Sequence, residues 1–373
     1  MTTRPPADVG MSVAEIDTPA LLVDLDAYER NLDRMAASLA GTSVRLRGHA
    51  KTHKCPVVAL HQIARGAVGS CCQKVSEAEA MVYGGVRNVL VSNEVVGARK
   101  IARLMGLAKQ AEVLACVDDA GNVRDLDAAA RAFGVRLPVL VEIDIGMARC
   151  GVLPGEPALA LAREVAARPG LRFAGLQAYH GRAQHINEED KRRATMEAAI
   201  AEVRHTVDLL KRHDLACGTV SGAGTGTYRW EAASGVYTEV QAGSYCFMDV
   251  EYGLVEGFPR EFEQSLFVLA TVMSRPTAER AVLDAGMKAL SVDKGMPRVH
   301  GLAGVEYQRA SDEHGVLRLG GAPGSGQGLR LGDRVWLVPG HCDPTINLHD
   351  WYVAVRRDRV EALWPITARG ALQ

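Results

Sequence analysis

No stretch of this chain stays apolar for the roughly 18–20 residues that a membrane-spanning helix needs. Its first ten residues are polar and proline-containing rather than a signal-length apolar run. A soluble, cytoplasmic protein with no membrane partner is expected. Neither sign of charge is in excess: 43 Lys+Arg stand against 44 Asp+Glu, a formal net charge of −1. No basic stripe interleaved with aromatics occurs, so nucleic acid is not an expected partner. The eight cysteines lie scattered at 55, 71, 72, 116, 150, 217, 246 and 342, without zinc-finger spacing. They read as buried free thiols in a reducing compartment. There is no internal repeat beyond a strand–helix unit and no low-complexity segment.

What is present is alternation. Short apolar runs at 20–23, 44–47, 69–72, 88–91, 113–117, 137–143, 173–177, 219–221 and 239–241 are separated by amphipathic stretches. Several runs are β-branched and continuously apolar, as strands buried on both faces should be. About eight such units over about 240 residues is the count and length of a (β/α)8 barrel. A doubly wound open sheet is the alternative, and the repeat count favours the barrel. From about residue 263 the pattern changes to short strands between turns, with a glycine-rich loop at 320–328, an all-β module. The expected fold is therefore α/β: a TIM-type barrel over 19–260, with 1–18 and 261–373 forming a β-rich domain.

The residues that carry chemistry follow apolar runs. Lys51, in His49-Ala50-Lys51-Thr52-His53-Lys54, sits where an early strand gives way to a loop. In a barrel that junction is the catalytic face, and a lysine there is a candidate for Schiff-base chemistry. Strand alternation places His49 on the same side. Considered alone, such a lysine is more often a solvated surface residue. Ser221-Gly222-Ala223-Gly224-Thr225-Gly226-Thr227 and Gln241-Ala242-Gly243-Ser244-Tyr245 follow two consecutive late strands. Glycines there free backbone N–H groups for a phosphate, although tight turns need glycine too. No Lys-Ser/Thr pair follows, so this is not a P-loop. Arg149 can pair with Glu142 or Asp144, or act as a fixed donor to a ring nitrogen or carboxylate. Gln177-Ala178-Tyr179-His180-Gly181 and Gln184-His185 offer histidines that serve as bases, metal ligands or plain core residues. His341 and Asp343 are two apart, and on an extended segment both face one ion. Imidazole plus carboxylate suits manganese, magnesium or zinc. Asp312-Glu313-His314 is a possible outer shell.

These segments together resemble the D-threonine aldolase and D-serine dehydratase group of alanine-racemase-like, fold-type III pyridoxal phosphate enzymes. The resemblance runs from Asp17-Thr18-Pro19 to Ala368-Arg369-Gly370. Its most specific stretches are His49-Ala50-Lys51-Thr52-His53-Lys54, Cys71-Cys72-Gln73-Lys74, Ser92-Asn93-Glu94-Val95, Gly224-Thr225-Gly226, Tyr237 through Tyr245, and His341-Cys342-Asp343-Pro344-Thr345.

The resemblance implies that Lys51 carries pyridoxal 5'-phosphate and that Arg149 faces its pyridine nitrogen. It implies phosphate contacts from Gly224, Thr225, Gly226, Gly243, Ser244 and Tyr245, with Gln177 and Tyr179 also at the cofactor. His341 and Asp343 would bind the metal, and His185 would be the base beside it. Dehydratase members carry a His-x-Cys pair suited to zinc. Asp343 in the second position favours manganese or magnesium over zinc and points to the aldolase branch, acting on small D-3-hydroxy amino acids. The competing readings are a D-serine-type or D-3-hydroxyaspartate dehydratase, an amino-acid racemase and a non-catalytic cofactor-binding protein. A homodimer is expected from related folds. Arg182 and Lys294 are candidate partners for a second substrate carboxylate.

Overall fold

The computed structural model describes residues 4–257, 261–320 and 328–373. Most of the glycine-rich stretch expected at 320–328 thus lies outside the described residues. The chain divides into two compact units: Met35–Lys51, Cys55–Gly243 and Ala371–Gln373 in one, and the chain up to Arg34, Thr52–Lys54 and Ser244–Gly370 in the other.

The first strand, β1 (Ala20–Asp24), does not belong to the barrel. The barrel is β2 (Arg45–His49), β3 (Gly69–Cys72), β4 (Asn88–Glu94), β5 (Glu112–Val117), β6 (Leu137–Glu142), β7 (Leu171–Ala178), β8 (Thr219–Gly222) and β9 (Glu239–Val240), closed in chain order. All eight neighbouring pairs, including β9 back to β2, are parallel. Alternate residues from successive strands fill the interior: Cys71, Leu90, Leu114, Cys116, Leu140 and Ala174 form one buried cluster. β6 is buried along its whole length, as a parallel strand covered on both faces must be.

The connecting helices follow from local chemistry. Helix Ala98–Ala108 buries Ile101, Leu104 and Met105 at helical spacing. Helix Ala120–Phe133 starts on Asp119, whose carboxylate accepts the Asn122 N–H at 3.0 Å, and stops on Gly134 at φ 68°. Helix Glu189–Arg212 places Glu189 and Asp190 in its first turn and Lys211 and Arg212 in its last, both favoured by the helix dipole.

The second unit contains a nine-stranded sheet. It comprises β1 with β10 (Leu266–Thr277), β11 (Arg280–Leu283), β12 (Arg298–Val299), β13 (Val305–Ala310), β14 (Gly315–Leu319), β15 (Arg334–Val338), β16 (Trp351–Arg356) and β17 (Arg359–Pro365). β1 lies between β10, antiparallel, and β16, parallel. Leu22, Phe267, Leu269, Val353 and Val355 belong to one buried core there. Against the barrel bounds expected at 19–260, residues 19–34 and Ser244–Gly370 fall in the sheet unit. The physical reason is that β1 pairs with strands more than 240 residues away. The module is also not purely β, because a helical turn, Cys342–Ile346, interrupts it.

Candidate active site

Lys51 stands just beyond the C-terminal end of β2, in the helical turn Ala50–His53, and is half-buried. The turn replaces the expected loop. Strand alternation therefore does not relate Lys51 to His49; instead the Lys51 N–H donates to His49 Nδ1 at 3.3 Å. His49 Nε2 lies 3.1 Å from Gln73 Nε2, which donates to Ser92 Oγ at 3.1 Å. The segments around 49, 71–73 and 92 are thus one polar network at adjacent strand ends.

Arg149 follows β6. Its Nη2 is 3.8 Å from Glu142 Oε1, and its guanidinium lies 5.7 Å from the centroid of the Tyr179 ring. Glu142 ends β6 with a side chain only 6% exposed. Burial, then the nearby Glu94 carboxylate, pushes the Glu142 carboxyl up to about 8, while Arg149 pulls the other way. Glu94, Asp118 and Cys150 bring ligand-type atoms within 4.8 Å of one another beside it. The Arg149–Glu142 pair is legible in the sequence but this cluster is not, because Glu94 ends β4, Asp118 follows β5 and Cys150 follows β6.

Gln177 is buried and exchanges two hydrogen bonds with Gln241, at 3.2 and 2.7 Å. Gln241 also donates to Ser221 Oγ at 2.9 Å. The Gln177 carboxamide is therefore largely committed to joining β7 to the segment after β9.

The glycine loop after β8 is buried throughout, with Thr225 1% exposed. Its glycines have a different use from the one anticipated. The Gly226 N–H, expected to face an anion, donates to Gln184 Oε1 at 2.9 Å. A Cβ on Gly224 would lie 2.5 Å from the same oxygen. Gly243 is buried, and Ser244 and Tyr245 open the buried 3-10 helix Ser244–Cys246.

His185 ends the 3-10 helix Arg182–His185 and is exposed, whereas His180 just before it is buried. Burial holds the His180 imidazole below its ordinary value, and its Nδ1 accepts the Ala183 N–H at 3.3 Å. His180 is a core histidine.

In the sheet unit, His341 precedes the helix Cys342–Ile346 with extended φ −144° and ψ 123°, and Asp343 lies in that helix's first turn. The pair is not on an extended strand, because Pro344 and the backbone of this segment form a helical turn. His341 Nδ1 is 2.9 Å from Asp293 Oδ2, and Ser291 Oγ donates to Asp293 Oδ1 at 2.6 Å. A carboxylate on Nδ1 fixes the ring and leaves Nε2 to face an ion. Fully buried Asp249 accepts the N–H groups of Cys342 and Tyr252, each at 2.9 Å, and so anchors the turn. The carboxylate set against the His341 ring is Asp293. Glu313 of the expected Asp312-Glu313-His314 cluster pairs with Lys288 at 2.6 Å. Lys294 pairs with Glu251 at 3.2 Å.

The donor chemistry fits the two groups expected. A primary amine at a barrel strand end and a buried hydroxyl on the loop after β8 suit a phosphorylated aldehyde. An oriented imidazole and a carboxylate two positions apart suit a divalent cation.

Comparison with known proteins places this architecture. Residues 23–251 match the alanine racemase N-terminal domain, and 265–355 match a putative serine dehydratase domain. The chain belongs to the alanine-racemase-type family, in its group of D-3-hydroxy amino acid aldolases. It is 48% identical to a 3-hydroxy-D-aspartate aldolase of Paracoccus denitrificans (strain Pd 1222), covering 98% of this chain and 95% of that one. It is also 48% identical to a D-threonine aldolase of Arthrobacter sp, covering 98% and 96%. The crystal structure of D-threonine aldolase from Filomicrobium marinum superposes with a TM-score of 0.96 at 49% identity, covering 100% of both chains. The alanine-racemase-type fold and the aldolase relatives support pyridoxal phosphate as the cofactor. Among the described residues no helix is long and apolar enough to cross a membrane.

Proposed function

We propose that this chain is a pyridoxal phosphate- and divalent-metal-dependent aldolase. It cleaves D-3-hydroxy amino acids of the D-threonine or 3-hydroxy-D-aspartate type to glycine and an aldehyde or glyoxylate. The observation that carries the reading is identity of 48% to two such aldolases along nearly the whole chain. Lys51, at the end of β2, supports it.

When bound, pyridoxal phosphate supplies the electron sink that stabilises the carbanion left by Cα–Cβ cleavage. A divalent ion, manganese or magnesium rather than zinc on the chemistry of an aspartate ligand, would be held by His341 and Asp343 and would acidify a nearby hydroxyl. The rest falls to the chain's own side chains. His185 accepts the proton of the substrate's 3-hydroxyl as the carbon–carbon bond breaks. Lys51 anchors the cofactor and returns a proton to Cα, so that glycine leaves. Arg149 offers its guanidinium to the ring nitrogen, with Tyr179 and Glu142 holding it in place. Thr225, Ser244, Tyr245 and the backbone of Gly224 and Gly243 bind the phosphate. The homodimer expected from related folds is part of the same proposal.

The match of 265–355 to a serine dehydratase domain keeps a second outcome in view. Incubation with D-threonine and D-3-hydroxyaspartate, with and without manganese, separates the two. Glycine, dependent on the ion, is expected. Ammonia and a keto acid without glycine would establish the dehydratase instead.

A further inference from the structure

One side chain joins the glycine loop to the helical turn that ends in His185. Gln184 is fully buried. Its Oε1 accepts the Gly226 N–H at 2.9 Å, and its Nε2 donates to Thr227 Oγ1 at 2.8 Å and to the His180 carbonyl at 3.2 Å. The Thr227 hydroxyl in turn donates to Glu231 Oε1 at 2.8 Å. Each donor points the same way, from Gly226 through Gln184 and Thr227 to Glu231, so the bonds polarise one another. Glu231 is itself fully buried, and burial lifts its carboxyl to about 7 against the pull of Thr227.

The glycines are shaped to this contact. A Cβ on Gly226 would lie 2.5 Å from the Gln184 carbonyl oxygen and 2.9 Å from its Cα, both backbone atoms that cannot swing aside. Only glycine at 226 admits the 182–185 turn this close to the loop. Gln184 precedes His185 directly, so whatever fixes Gln184 fixes the backbone from which His185 projects.

We propose that Gln184 is a positioning residue that couples the two halves of the barrel's chemistry. It locks the His185 turn onto the loop offered to the cofactor phosphate, so that filling the loop orders the base. This rests on the cofactor reading above. A Gln184 that merely filled the core would affect stability everywhere alike; a coupling residue changes how the 182–188 segment answers to cofactor.

The test uses the full chain stripped of and then reloaded with pyridoxal phosphate. Two quantities are read: the cofactor's dissociation constant by fluorescence titration, and hydrogen exchange of the amides in 182–188 with and without it. In the wild type, cofactor slows exchange over 182–188. Gln184→Met, similar in size but without hydrogen bonds, should bind cofactor about tenfold more weakly. At saturation its 182–188 exchange should no longer respond, while helix Ala98–Ala108 exchanges as in the wild type. Gln184→Asn, one methylene too short to span Gly226 and Thr227, gives the same reading should the methionine variant not fold. A wild-type response retained in either variant overturns the coupling alone. Failure of the wild-type chain to bind pyridoxal phosphate overturns the cofactor reading, and the coupling with it.

Discussion

The seam of the barrel offers the sharpest stability prediction. β9 is two residues long and closes on β2 through the pairs Arg45↔Glu239 and Leu46↔Val240. Across that seam Arg47 makes a bidentate ion pair with Glu239, Nε to Oε2 at 2.7 Å and Nη2 to Oε1 at 2.8 Å. The side chains are 3% and 8% exposed. Asn88 and Ser221 complete the network at 2.5 and 3.1 Å. Glu239→Gln keeps the shape but leaves a buried guanidinium without its counter-charge. Breaking a buried pair on one side costs about 3–5 kcal/mol, a fifth or more of the roughly 5–15 kcal/mol that separates most folded domains from unfolding. Replacing both partners, Arg47→Met with Glu239→Leu, removes the stranded charge and should recover most of the loss. Because the chain has two units, a single unfolding midpoint mixes their contributions. Hydrogen exchange at the β8 and β9 amides, alongside urea unfolding, reports the barrel itself. A Glu239→Gln protein within about 1 kcal/mol of the wild type, or a double variant no better than the single, would refute the claim that this pair holds the seam.

Three further outcomes follow from the site. The folded Glu142 carboxyl holds its proton to about pH 8, against an ordinary value of 4.5. The folded state therefore binds more protons than the unfolded one between those values, and stability falls as pH rises through that window. Glu142→Gln should flatten the fall, read from urea midpoints at about pH 5.5 and about pH 8.5; an unchanged pH dependence contradicts the assignment. Asp293→Ala frees His341 Nδ1 and should weaken manganese binding about 10–100-fold by calorimetry; unaltered affinity would mean that the carboxylate does not orient the ring. Gly226→Ala drives a Cβ to 2.5 Å from a backbone oxygen and should cost about 1–3 kcal/mol in a thermal melt; a melt identical to the wild type would show that the loop has room.

Much of the barrel was legible because strands buried on both faces announce themselves as continuous apolar runs, and their helices by apolar residues at helical spacing. The same signal misassigned β1. Its burial, complete over four of five residues, is that of a barrel strand, and a helix follows it. What places it in the sheet is pairing with β10 and β16, distant partners that no local pattern records. At the site, the residue types were visible but their commitments were not. Gly226 looked like an anion donor until Gln184, 42 residues earlier, took its N–H. His341 and Asp343 stood out in the sequence, while Asp293, 48 residues before His341 and 2.9 Å from its ring, did not. In each case the missing partner lay in another element, where sequence spacing carries no distance. His180 and His185 likewise look equivalent in sequence, and only burial separates them.

The proposed chemistry depends above all on Lys51 as the covalent anchor of pyridoxal phosphate. Borohydride reduction of the purified, cofactor-loaded protein followed by peptide mass mapping tests this directly. One modified peptide, carrying the reduced pyridoxyl phosphate on Lys51, is expected, and none in Lys51→Ala. Modification elsewhere, or an unmodified Lys51 in protein that turns over D-threonine, would contradict it.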